Sequence, residues 1–346
     1  MRFQKKLKVY FSLLASSLII SSCGTSSTIQ SAQKFGELAS RFEENTNNLA
    51  DDIYNSCIRK IQFFQVDTSE SNEARDVALK DCNDLNKPTA RQARDANKLV
   101  TDYIRAIAKL ASDDVVSFDN ELDKVKESLD NLSIPISSGN TLSLPSNAVD
   151  GGISIAKFLF RWATADFREG VLKEAVVCTD KPFQVYTEGL KFVFDEAYIN
   201  GILDQELFRV QSYYNYYAAL LRQNPDGPAR DRAFRQLQTE SFNAIQPVLE
   251  RQDAALAYIS IIGKTSNTHS ELAKLFSDGE DSPDLSSCST YFGDDSSISV
   301  STQFVGQKTL NSELTIDELI TVKKIILDYQ EEIEPLLIQM EESLER

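Results

Sequence analysis

The sequence predicts an all-α fold, an elongated antiparallel bundle of about six helices, several of them long and coiled-coil-like. Three observations predict it. Apolar residues recur three and four positions apart along most of the chain, the spacing of helices that each bury one stripe. Period-two alternation is confined to one short candidate strand, Ile298 to Val305. Clusters of Ser, Gly and Pro separate the periodic stretches and mark the connections. No repeat of fixed period appears, which argues against a solenoid.

The first stripe carries Phe35, Leu38, Phe42, Leu49, Ile53, Cys57 and Ile61. A break near Val66 to Glu73 leads to a short helix over Ala74 to Asn83. Beyond Pro88, Leu99, Tyr103, Ile107, Leu110, Phe118, Leu122, Val125, Leu129 and Leu132 run close to a heptad. One helix over residues 89–132 would be about 66 Å long at 1.5 Å per residue. Residues 133–152, with Pro135, Pro145, glycines and many serines, read as a polar loop. Ile153 to Trp162 is strongly apolar, and its helix is expected to continue to about Val177. Thr179 or Asp180 then caps a helix with Pro182 in its first turn. That helix places Phe183, Leu190, Phe194, Ala197, Leu203, Leu207, Val210, Tyr214, Tyr217 and Leu221 on a stripe, up to the turn Asn224-Pro225-Asp226-Gly227-Pro228. A returning helix runs from about Ala229 to Phe276, kinked at Pro247, where the ring removes a donor and crowds the preceding turn. Residues 277–312 form a second polar loop, acidic and serine-rich. Thr315-Ile316-Asp317-Glu318 is a capping box that opens a last helix, itself kinked at Pro335.

The first residues carry four cations, Arg2, Lys5, Lys6 and Lys8, and no acid. An apolar run from Val9 to Ile20 follows, about twelve residues where a spanning helix needs about twenty. This is a signal peptide over residues 1–22. It ends in Ile20-Ser21-Ser22-Cys23-Gly24, which resembles the bacterial lipobox. The resemblance implies that the Cys23 thiol receives a diacylglyceryl group, that the chain is cut before Cys23 and that the new amino group is acylated. The chain would then be held to a membrane by lipid in the cell envelope, where each buried methylene contributes about 0.8 kcal/mol. Glycine rather than aspartate after the cysteine implies the outer membrane of a Gram-negative cell. Residues 23–33 read as a lipidated tether and residues 34–346 as the helical bundle domain.

The chain has a net charge of −16, and without residues 1–22 and their four cations it becomes −20. Such a surface repels nucleic acid and disfavours lying flat on anionic lipid, but can attract divalent cations or a basic protein partner. Export places Cys57, Cys82, Cys178 and Cys288 where disulfides persist. Three pairings are open; Cys57 with Cys82 and Cys178 with Cys288 is preferred, stapling two early helices and tying the middle of the chain to the second loop. Without a C-x-x-C spacing, and with a single histidine, a metal site is disfavoured.

Little in the chain points to catalysis. His269, the sole histidine, would have to serve any Ser-His-Asp or Cys-His device, but its position late in a helix reads as exposed or as part of a C-terminal turn. A di-iron bundle needs two Glu-x-x-His motifs, and there are none. Gly263-Lys264-Thr265 lacks the earlier glycine of a phosphate loop, since Tyr258 stands there. Two S-x-x-K matches, from Ser31 and from Ser154, lack the sheet that such a motif sits beside. Acidic clusters at Asp278 to Asp284, Asp294-Asp295 and Glu331 to Glu334 lack the spacing of an EF-hand loop and read as solvated. No cofactor is expected.

Two surfaces are candidates for binding. In Tyr213-Tyr214-Asn215-Tyr216-Tyr217, positions 214 and 217 fall on the core stripe, which leaves Tyr213 and Tyr216 as an exposed partner-binding pair. Ile153 to Trp162 reads either as a core helix or as an apolar segment that resembles the hydrophobic tongue of α-helical pore-forming toxins. Ile153 to Val177, with Lys157, Arg161, Arg168 and Leu172-Lys173-Glu174-Ala175-Val176, also looks like a segment of helical envelope lipoproteins of unassigned role. The expectation is a membrane-anchored, non-enzymatic interaction or spacer module with a protein partner in the envelope. The alternative is a membrane-active bundle that exposes residues 153–162.

Overall fold

Leu38, Phe42, Leu49 and Ile53 lie on one stripe of helix α1 (Gly24–Gln62), and all four are buried. That stripe organises the molecule, whose computed structural model describes residues 24–64, 69–110, 122–137, 140–164, 171–277, 288 and 315–344. Helix α2 (Ser69–Asp81) passes through a π-helical turn (Cys82–Asn86) into α3 (Lys87–Leu110). Helix α4 (Leu122–Asn131), strands β1 (Ser133–Ser137) and β2 (Asn140–Ser143), and α5 (Ser146–Thr164) follow. Helix α6 (Val171–Val193) continues through a π-helical segment (Phe194–Leu203) into α7 (Asp204–Arg222), and α8 (Pro228–Phe276) and α9 (Ile316–Leu344) complete the bundle. The fold is an all-α bundle carrying one small antiparallel sheet.

Polar contacts fix the directions of the helices. Asn97 and Arg105 of α3 bond Thr46 and Ser40 of α1, so the two run antiparallel. Helix α8 is antiparallel to α9, with Lys264 bonded to Glu332 and Gln339 to the Asp253 carbonyl. Arg41 of α1 holds α9 through Glu334 at 2.8 Å and Glu341 at 2.7 Å. In the core, Tyr186 donates to the Ala96 carbonyl and Tyr258 to Asn97, each at 2.7 Å, so the buried rings keep their hydroxyls partnered. The capping box closes as a reciprocal pair: Thr315 N–H donates to Glu318 at 2.7 Å and Glu318 N–H to Thr315 at 3.2 Å.

Several sequence expectations are corrected. Residues 89–132 are not one rod, because Ser128 of α4 donates to Asp95 of α3 at 2.7 Å, and a straight helix would hold them about 50 Å apart. The chain folds back between α3 and α4, and a heptad cannot signal that, since both arms bury the same kind of stripe. The loop expected at 133–152 is instead a β-hairpin and the first two turns of α5. Ile134 pairs with Leu142 across the strands, and Ile136 fills the space left by Gly201. Their alternation is too short to stand out among serines and Pro135.

Residues 153–177 are likewise two helices, α5 and α6, packed on each other. Gly151 makes the contact possible: a Cβ there would sit 2.6 Å from the Pro182 carbonyl oxygen. Pro182 lies inside α6 rather than in a first turn, and Thr179 is a buried helix residue rather than a cap. Residues 24–33, assigned by composition to a tether, are the start of α1, which propagates from the amphipathic stretch behind them. The second polar loop apart from Ser277 and Cys288, the strand candidate at 298–305, the signal peptide and Cys23 lie outside the described residues.

Candidate functional site

Each of three long helices places a charge on its own buried stripe. In α1 the register Leu38, Phe42, Asn45, Leu49, Asp52, Ser56 is buried throughout and ends on the half-buried Arg59. Glu206 falls between buried Leu203 and Val210, and Arg251 between buried Val248 and Ala255. These charges converge. Arg251 reaches Asp52 at 3.2 Å and Glu206 at 2.7 Å. Arg59 pairs with Asp52 and reaches Glu206 at 3.0 Å. Tyr198, in the π-helical segment, donates to Asp52 at 2.8 Å, and the Pro247 carbonyl accepts from Arg251 Nε at 2.8 Å. Burial pushes the Asp52 and Glu206 carboxyls above the ordinary carboxylate range, and Arg59 pulls both back. Asp52, Arg59 and Arg251 of the knot themselves line an open cleft of about 460 Å³, together with Asn48, Asp51 and Glu250.

The knot is the root of a projecting hairpin. Arg59 meets Glu206, Lys60 meets Gln205, and the Phe63 ring lies 5.6 Å from Tyr213, so α7 runs parallel to the end of α1. Helix α1 stops at Gln62, while α7 continues about 14 Å beyond Tyr213 to Arg222. Helix α8 returns antiparallel, with Gln252 bonded to Asp204. From Leu207 to Pro247 the only buried side chain is Val210. Among the described residues the two arms therefore extend past the end of α1 that lies opposite Gly24.

The tyrosine cluster lies on this hairpin, arranged otherwise than the sequence suggests. Tyr213, Tyr214, Tyr216 and Tyr217 are all half-buried, so positions 214 and 217 are not core and positions 213 and 216 are not a distinct exposed pair. A stripe becomes core only where another layer buries it, and among the described residues all four rings stay half-buried, with Phe63 against Tyr213 and Tyr214. The rings cover one another instead, with Tyr213 4.7 Å from Tyr217, Tyr216 5.4 Å from Tyr217 and Phe63 6.2 Å from Tyr214. Arg209 lies 4.8 Å over the Phe64 ring, and Phe208 and Phe242 are 70% and 62% exposed.

His269 is buried rather than exposed, a second correction, because α3 and α6 close over it. Its Nδ1 lies 3.1 Å from the Tyr103 hydroxyl, which is 2.6 Å from Thr179, and its Nε2 lies 3.7 Å from Asp180. Burial lowers it to about 4 against the opposing pull of Asp180. Enclosed by the Tyr103 and Phe183 rings, the imidazole offers no face to a substrate in this arrangement. Between residues 153 and 162, Ser154, Ile155, Ala156, Phe158 and Leu159 are buried in α5. Among the described residues no helix is long and apolar enough to cross a membrane, and no group of three His, Cys, Asp or Glu could hold a metal ion. The structure joins Cys57 to Cys82 and Cys178 to Cys288, with Cα separations of 5.6 and 5.4 Å.

Two outcomes follow from these environments. Arg251→Leu leaves Asp52 and Glu206 buried with Arg59 as their one ion-paired cation among the described residues and is expected to cost about 3–5 kcal/mol in urea unfolding, whereas exposed Arg232→Leu should change stability by about 0.5 kcal/mol or less. For His269, the unfolded chain takes up a proton near pH 6.5 while the folded chain resists it to about 4. Its contribution is complete above pH 6.5 and is lost as the pH falls through that window, up to about 3 kcal/mol. Unfolding followed from pH 7 to 4 should show this slope in the native chain and a shallower one in His269→Gln; equal slopes would exclude His269 as its source. In the comparisons with known proteins, no family model, curated protein or solved structure matches this chain.

Proposed function

We propose that this chain is a lipid-anchored strut of the bacterial cell envelope, a non-enzymatic module that carries an interaction surface away from its membrane. One observation carries the reading: the α7–α8 hairpin leaves the bundle beyond the end of α1 opposite Gly24. With Cys23 lipidated, the 39 residues of α1 set its far end, where the hairpin departs, about 58 Å from the anchor. The acidic body is repelled by anionic lipid rather than drawn down onto it, and the two disulfides suit an exported chain. Glycine after Cys23 favours the outer membrane.

Cells producing the full chain and fed an alkyne-tagged fatty acid should yield a labelled mature protein in the membrane fraction. Cys23→Ala should take up no label and keep its first 22 residues. Label on Cys23→Ala, or none on the native chain, would sink the anchor.

A further inference from the structure

The hairpin differs in charge from the rest of the molecule. From Leu207 to Pro247 it holds five arginines against three acids, a net charge of +2 in a chain of −16. Only some of this charge is used internally. Arg230 pairs with Asp226, and Arg209 lies over Phe64. Arg222, Arg232 and Arg235 are exposed and make no ion pair among the described residues.

The type of cation is also distinctive. There is no lysine between Lys191 and Lys264, so every cation of the hairpin is a guanidinium. A planar guanidinium matches a carboxylate through two parallel hydrogen bonds and stacks on rings, where an ammonium acts as a point charge. Arginine together with tyrosine and phenylalanine is the composition enriched where proteins bind proteins. Phe242, 62% exposed, follows Arg235 by two helical turns and so shares a face of α8 with it.

We infer that the α7–α8 hairpin is a docking surface for a carboxylate-rich segment of another protein, gripped by Arg222, Arg232 and Arg235 and packed against Phe242 and the tyrosine cluster. This rests on the reading of the chain as an anchored interaction module. The hairpin is the part of the molecule that an acidic protein can approach without meeting the repulsion of the acidic body. Its own membrane is a poor occupant, because the hairpin lies at the end of α1 far from Gly24. A second copy is disfavoured at the same surface, since it would bring two positively charged hairpins together.

The test uses the full chain in the cells that produce it, with a photo-crosslinking amino acid at exposed Gln238, or at exposed Glu127 on α4 as a site on the body. Adducts are identified by mass spectrometry of the linked peptides. The expected result is a Gln238 adduct to an acidic peptide of a different protein. Its yield should fall about tenfold in Arg222→Gln/Arg232→Gln/Arg235→Gln, the effect of losing three rim charges worth about 0.5 kcal/mol each. The thermal midpoint of that variant should match the native one, which separates lost docking from lost folding. An adduct insensitive to the triple substitution, or one made only to lipid or to this chain's own peptides, overturns the proposal. Adducts at Glu127 without any at Gln238 overturn the hairpin assignment and leave the module reading standing; none at either position overturns both.

Discussion

Asp52 and Glu206 are held almost out of reach of water, and neither carboxylate could remain there without the guanidinium groups of Arg59 and Arg251. Isolated buried charges are among the most costly arrangements a protein can contain, and a buried pair stabilises little compared with well-packed apolar side chains. What such a cluster supplies is register. Arg251 can meet both acids, and Tyr198 can reach Asp52, only when α1, the π-helical segment, α7 and α8 hold one axial alignment. A slip by one helical turn would move each charge about 5.4 Å and leave it buried without its partner. Because α7 then runs on beyond the last turn of α1, the same alignment makes α7 and α8 leave the bundle as a hairpin.

The other anchors act on the body behind that root. Arg41 clasps α9 against α1, and the two disulfides close spans of 25 and 110 residues. In the chain-entropy account such closures stabilise by about 3.5 and 5 kcal/mol. Tyr186, Tyr198 and Tyr258 bury their rings while keeping their own hydroxyls bonded, so three large side chains order the interior without orphaning those hydroxyls. Among the described residues the body is thus braced along its length and the hairpin at its base. That asymmetry suits the proposed spacer with a distal contact surface.

Much of this was legible in the sequence where a signal is local. The three-four stripes located α1, α8 and α9, the Thr315 to Glu318 box marked the start of α9, and Asn224 to Pro228 marked the tip of the hairpin. The signals that failed depend on tertiary contact. The fold-back between α3 and α4 leaves the heptad unbroken, and Gly151 looks like a loop residue until Pro182 is seen against it. Tyr214 and Tyr217 carry the period of a core stripe but lie half-buried on a hairpin whose only buried side chain is Val210. The charged root did leave a trace that stripe reading passed over. Asp52, Glu206 and Arg251 each occupy a position where the period demands an apolar residue, and an ion on a buried stripe calls for a counter-ion on another helix.

The central claim is that the charged root holds the hairpin as a rigid extension past the end of α1, and a distance tests it directly. Nitroxides carried by non-canonical residues at exposed Glu37 and Asn224 leave the native cysteines untouched, and pulsed dipolar spectroscopy reads their separation. The account predicts one narrow distribution near 50 Å, from the helical rise along α1 and along α7 beyond Tyr213. A broad distribution, or one centred well below that distance, would mean that the hairpin swings or folds back along the bundle, and the account would fail.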